Sequence, residues 1–237
     1  RPLLCRPSLC QPILRSSATP AASRRALSTR TILARVVRRA ADEPVYALIA
    51  ANVGVWGLWQ ASANSREARQ WMVEHFTTST AGIVRELRFH TLITSAFSHA
   101  STTHLAVNMV SLYFFGRDAV AALGPQRFLT LYLGAGVLSM AAQAAWPMLG
   151  ERGGMFTPVL GASGAVSAIV AWSILMYPRR IILLYFILPV PAALVGVLFI
   201  AKDSFELLGS SGSGTANAAH LGGASVGALY FLLTRRP

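Results

Sequence analysis

The sequence predicts an all-α membrane protein, a bundle of six transmembrane helices, and three observations carry that prediction. Of the 237 residues, 54% are hydrophobic and only 13% charged, with mean hydropathy +0.50; a soluble domain is usually about a quarter charged. The apolar residues gather into six runs separated by Gly, Pro and Arg-rich breaks. If the chain crosses six times, Arg38, Arg39, Arg117, Arg127, Arg179, Arg180, Arg235 and Arg236 all fall on the side of the two termini. An excess of arginine marks that side as cytosol, matrix or stroma.

The formal net charge of +12 is unevenly placed. Residues 1–41 hold nine arginines and no acid, and the rest of the chain holds 12 basic against nine acidic residues. The excess therefore belongs to a terminal segment and does not argue for nucleic-acid binding. Cys5 and Cys10 both lie in that segment, so neither a disulfide framework nor a cysteine metal site belongs to the bundle. Residues 1–41 are rich in Arg, Ser and Ala, with Pro2, Pro7, Pro12 and Pro20. Such a composition is that of an organelle transit peptide, and the dense arginines favour a mitochondrial over a plastid address; the alternative is a disordered basic tail.

Pro44 to Ala61 supplies the first span, with Pro44 suited to a first helical turn. At about 20 apolar residues per ~30 Å of hydrocarbon this run is barely long enough. Ala63 to His90 mixes Arg66, Glu67, Arg69 and Glu74 with Trp71 and Phe76, which predicts an amphipathic connection at the membrane interface. His104 to Leu123 is the second span and Phe128 to Trp146 the third, parted by Gly124-Pro125. Gly150 to Pro158 is a glycine-rich turn into the fourth span, Ser163 to Tyr177, which at 1.5 Å per residue covers only ~22 Å. Its start is therefore expected below the membrane surface, at the floor of a cavity. Ile181 to Ala201 reads as a fifth span bent by Pro189 and Pro191. Lys202 to Asn217 reads as a Ser/Gly-rich loop, and Ala218 to Leu233 as the sixth span.

Polar groups inside such spans are costly unless they are paired or line a wet cavity, so each is a candidate for function. Ser163 opens the fourth span between Gly161 and Gly164, where the unpaired N–H groups of a helix start favour developing negative charge. His104 and Asn108 stand at i, i+4 on one face of the second span. His220 lies near the start of the sixth, followed by Gly223 and Gly227 at i+3 and i+7. These spans start from one side of the membrane, so the four groups can share a depth.

A small-residue face around His220 allows close approach to the equally small-residue Ser163 helix. An imidazole within reach can then take the serine proton and return it to a leaving amine, as acyl transfer requires. His104, Asn108 and the Ser163 backbone N–H could serve as oxyanion donors. Asp118, Glu151, Asp203 and Glu206 fall at span ends or in loops, so the sequence predicts a Ser-His dyad without an acidic third member. The bland alternative for each residue taken singly is helix packing. Two histidines without H-E-x-x-H or a carboxylate partner give no metal site. The soluble-hydrolase pattern G-x-S-x-G also fails, because Ala165 replaces its second glycine.

Taken together, Gly161-Ala162-Ser163-Gly164, His104-Leu-Ala-Val-Asn108 and Ala219-His220-Leu-Gly-Gly223 with Gly227 resemble the motifs of the rhomboid intramembrane serine proteases. They stand in the family's order, on what would be its second, fourth and sixth core helices, and the resemblance covers about residues 44–234. It implies a rhomboid-like bundle with Ser163 as nucleophile, His220 as general base and His104 and Asn108 as oxyanion donors. It further implies transmembrane protein substrates cut near a helix end, and no cofactor. Arg88-Phe89-His90-Thr91 and Phe97-Ser98-His99 resemble the family's lead into the second helix, where His99 would be structural. Leu112-Tyr113-Phe114-Phe115-Gly116 and the Arg-rich start resemble the organellar branch of plants or algae, which implies a mitochondrial inner or plastid membrane.

The sequence departs from the family at three places. Val120 stands between Gly116 and Gly124 where the family often has a glutamate, Leu87 stands before Arg88 where it often has a tryptophan, and Ser167 stands where many bacterial members carry an aromatic that stacks on the catalytic histidine. None of these removes a reacting group. The alternative function is that of a catalytically inactive member that binds membrane helices; Ser163 and His220 are both present.

Overall fold

The computed structural model describes residues 44–149, 154–184, 187–208 and 217–234. The transit segment expected over residues 1–41, residues 209–216 of the loop expected over Lys202 to Asn217, and Arg38, Arg39, Arg235 and Arg236 lie outside the described residues. What is described is almost entirely helical, with one short hairpin.

Helix α1, Pro44–Ala61, begins on its proline as expected. The side-chain nitrogen of its buried Asn52 is paired within the bundle, donating to the Leu48 carbonyl at 2.8 Å and to the Tyr132 hydroxyl at 3.4 Å. The connection that follows is amphipathic. In α2, Arg66–Phe76, Met72 is buried while Trp71 stays exposed. Ser65 caps α2 and Ser79 caps α3, Thr80–Val84, each hydroxyl accepting an N–H three residues on. Arg88 anchors this layer: its guanidinium donates to the Glu74 carbonyl at 2.8 Å and its backbone N–H to the Gly82 carbonyl at 2.9 Å. The layer thus holds together with Leu87 in place of tryptophan; Leu87 is itself exposed, with φ 56°.

A short α4, Thr91–Thr94, leads to α5, Thr102–Leu123, capped by Ser101. Gly124, at φ 80°, ends α5, and Pro125 opens α6, Pro125–Ala145. Only glycine takes that left-handed corner without cost, and proline at the next position is preset for a first helical turn. The central element is α7, Ser163–Met176, which packs against α5, α6 and α9, Asn217–Thr234. Ala165, Ala168, Ile169 and Trp172 of α7 join Leu112, Phe128 and Tyr132 in the core.

The contact of α9 with α7 is backbone on backbone. A methyl group on Gly223 would overlap the Gly164 carbonyl, and one on Gly227 would overlap the Ala168 carbonyl. A methyl on Gly164 would overlap the Ser139 side chain of α6. The small-residue faces read in the sequence therefore do meet, and only glycine fits at the seam.

The fifth expected span requires correction. Ile181–Leu184 and Leu188–Pro191 form an antiparallel hairpin, β1 and β2, with Ile181 opposite Pro191 and Leu183 opposite Pro189. Proline interrupts a helix interior by removing a donor and clashing with the preceding turn, whereas an edge strand tolerates it. The two prolines thus end regular helix altogether. Helix α8 starts only at Ala192 and runs through to Leu208, into the stretch expected to be loop. Lys202 and Glu206, paired at 2.8 Å one turn apart, lie within that extension.

Helices thus stand at or near each of the six expected positions, but they differ in length and polarity. Among the described residues, one helical stretch, Pro125–Met148, is long and apolar enough by composition to cross a membrane, and Ser163–Met176 is apolar but shorter. In the others, Asn52, His104, Asn108, Arg117, Asp118, Lys202 and His220 dilute the apolar signal or the helix is short.

Candidate active site

Ser163 is the first residue of α7, and the chain reaches it through a tightly held approach. Thr78 and Val159 exchange backbone hydrogen bonds of 2.8 Å as an isolated bridge, and the Gly161 N–H donates to the Ser95 carbonyl at 2.9 Å. The Ala162 N–H points at His99 Nε2, 3.4 Å away. His99 is fully buried; burial first, and the neighbouring His104 imidazole second, hold its pKa down to about 4. Neutral His99 can accept that N–H, a structural role just ahead of the serine.

Gly161 has φ +136°, a conformation side-chain-bearing residues rarely adopt. A methyl group there would sit 2.7 Å from His104 Cε1, 3.2 Å from His104 Nε2 and 3.6 Å from Ser163 Oγ. His104 and the serine hydroxyl therefore flank one small space that the glycine leaves open. Asn108 lies one turn further along α5, almost fully buried, with its amide donating to the His104 carbonyl at 2.9 Å.

His220 sits in the first turn of α9. The start of that helix is fixed by Gln143 of α6, whose side-chain oxygen accepts the Ala219 N–H at 3.0 Å. The imidazole Nε2 is 2.9 Å from Ser163 Oγ. The structure thus brings Ser163, His220 and His104 together, while Asn108 lies one turn from His104 with its amide on the His104 carbonyl.

Asp203, which the sequence places in a loop, stands beside the ring instead. On the far side of the ring, His220 Nδ1 lies 3.1 Å from Asp203 Oδ2, and the Asp203 side chain is 1% exposed. The physical reason is the displaced start of α8, which makes residue 203 part of a helix facing His220 rather than part of a loop. One turn earlier on the same helix, the Phe199 ring lies 5.8 Å from the imidazole with the planes 31° apart. An aromatic neighbour of the histidine is therefore present, supplied from α8 where Ser167 of α7 cannot. Had the helical period been carried through Lys202, Phe199 and Asp203 would have stood at i, i+4 on one face.

An ionised carboxylate can only accept, so with Asp203 ionised the contact favours the tautomer with its proton on Nδ1, whose Nε2 lone pair faces the serine hydroxyl. An imidazole so placed can draw the proton from an attacking hydroxyl.

A helical bundle whose two glycine-seamed helices bring a serine and a histidine into hydrogen-bond contact defines a class of membrane-type serine–histidine proteins. The chain belongs to the rhomboid family: the family profile described as "Rhomboid domain" matches residues 86–237. It is similar to "RHOMBOID-like protein 12, mitochondrial" of Arabidopsis thaliana, 38% identical over 203 residues, covering 81% of this chain and 58% of that protein. It is also similar to "Rhomboid protein 1, mitochondrial" of Saccharomyces cerevisiae, 35% identical over 191 residues, or 78% and 51% of the two chains. A third relative is "Rhomboid-like protein 16, chloroplastic" of Arabidopsis thaliana, 31% identical over 209 residues, 83% and 63% respectively. The chain thus spans between about half and two thirds of the length of these relatives.

Proposed function

We propose that this chain is an intramembrane serine endopeptidase that cleaves transmembrane protein substrates near a helix end. The observation that carries the proposal is the 2.9 Å contact between Ser163 Oγ and His220 Nε2. Ser163 is the nucleophile: its oxygen adds to the scissile carbonyl carbon while its proton passes to His220 Nε2. The carbonyl oxygen, now an oxyanion, enters the space left open beside Gly161, with His104, Asn108 and the Ser163 N–H as its donors. Collapse breaks the C–N bond, His220 protonates the leaving amine, and an acyl-serine remains. Water then adds to that ester with His220 as base, and the serine is released.

The six-helix domain over residues 44–234 works in a bilayer in this reading. Val107, Val110, Phe114, Leu133, Leu138, Val197 and Leu232 are exposed on its helices, more outward apolar surface than water tolerates. Helix α7, 14 residues long, covers only ~21 Å of a ~30 Å hydrocarbon layer, so in this reading Ser163 lies beneath one surface of the bilayer. The membrane is that of an organelle, the mitochondrial inner membrane ahead of a plastid one. Mitochondrial names among the relatives and the Arg-rich residues 1–41, read as a transit segment, support this. Both reacting groups are present and in contact, which favours catalysis over an inactive helix-binding role. The test is cleavage of a transmembrane substrate with a destabilised helix by the purified wild type and by Ser163→Ala. Release of product by the wild type alone is expected, and binding without cleavage by both would support the inactive reading.

A further inference from the structure

We infer that Asp203 is a positioning residue that orients His220 toward Ser163, so that helix α8 supports the catalytic histidine from the side opposite the serine. The inference rests on the proteolytic reading above and deepens it.

A carboxylate buried to 1% exposure is expensive unless paired. Asp203 has two partners: Oδ2 faces His220 Nδ1 at 3.1 Å, and Oδ1 faces the Lys202 ammonium at 3.4 Å. Lys202 is shared with Glu206 at 2.8 Å and is 60% exposed, so it leads the cluster outward to solvent. The charged and titratable groups around the imidazole are therefore His104 from α5 and Lys202, Asp203 and Glu206 from α8. Among these, Asp203 alone holds the ring nitrogen opposite the serine.

That contact does two things. It fixes the proton on Nδ1, leaving Nε2 free to act as base, and it favours the imidazolium formed when the serine proton is taken. Asp203 touches neither Ser163 nor the carbonyl under attack. Phe199, one turn away, bounds the ring from the same helix. Helix α8 otherwise shows exposed Leu194, Val197, Leu198 and Phe205, and it is seated on the bundle chiefly through α7, α9 and the hairpin. The base is thus oriented only when α8 is docked.

The experiment compares wild type, Asp203→Asn, Asp203→Glu and Ser163→Ala of the full chain in liposomes, on one transmembrane substrate and one fluorophosphonate. Asp203→Asn is expected to lower kcat on the order of 10²-fold with KM changed by less than about twofold, and Asp203→Glu to recover about tenfold of that loss. A merely structural role would lower activity through the folded fraction, with no rescue by glutamate. Independently, ¹⁵N NMR of histidine in wild type and Ser163→Ala should show His220 with its proton on Nδ1. Unchanged kcat in Asp203→Asn beside an active wild type, or a His220 protonated on Nε2 alone, overturns the inference. Equal labelling of wild type and Ser163→Ala sinks the proteolytic reading instead, and the NMR result then still decides the Asp203 contact.

Discussion

Gly223 of α9 lies so close to Gly164 of α7 that no side-chain carbon fits between them. That contact sets how near the helix bearing His220 comes to the helix bearing Ser163. Gly227 repeats it one turn deeper against Ala168, so the seam holds α9 at two points along the α7 backbone.

Substitution at the seam should therefore part the reacting groups. Gly223→Ala and Gly227→Ala are each expected to cost about 1–3 kcal/mol of stability through overpacking, and to lower activity further than the folded fraction explains. Gly134→Ala on α6 meets nothing within 4 Å and serves as the control. Thermal unfolding in detergent beside initial cleavage rates measures both effects.

The space beside Gly161 makes a separate prediction about rate. His104→Ala and Asn108→Ala should each lower kcat about 10²–10³-fold with little change in KM, since a lost oxyanion donor acts chiefly in the transition state. Gly161→Ala should behave like them, because its methyl would fill the gap 2.7 Å from His104 Cε1 and strain the φ of +136°. A rise in KM at constant kcat would assign these residues to substrate binding.

His99 predicts how stability depends on pH. Its folded pKa of about 4 lies below the ordinary histidine value near 6.5, so the unfolded chain binds the proton first as pH falls. The contribution of neutral His99 is complete above about pH 6.5 and is lost as pH drops toward 4, on the order of 3 kcal/mol in all. Unfolding midpoints between pH 7.5 and 4.5 should therefore fall more steeply for the wild type than for His99→Gln. Parallel slopes would remove His99 from the acid sensitivity.

Much of this architecture is legible in the sequence because its punctuation is strong. Gly124-Pro125 parts α5 from α6, Gly161 marks the approach to Ser163, and the Gly223/Gly227 spacing announces a close helix contact. The stretch from Ile181 to Leu208 is less legible. Pro189 and Pro191 suit a bent helix and a hairpin alike, and the choice depends on pairing that local pattern does not encode. The place of Asp203 is hidden with it, since a carboxylate in a loop has no reason to face an imidazole. The span count is blurred for a related reason: His104, Asn108 and His220, which build the site, are the residues that lower the apolar character of their helices.

Cleavage requires that His220 make Ser163 nucleophilic. The most direct measurement is covalent labelling of the purified full chain by a fluorophosphonate, located by mass spectrometry of the modified peptide. The wild type should carry the adduct on Ser163, and Ser163→Ala and His220→Ala should carry none. An adduct of equal yield in all three, or one placed on another serine, would contradict it.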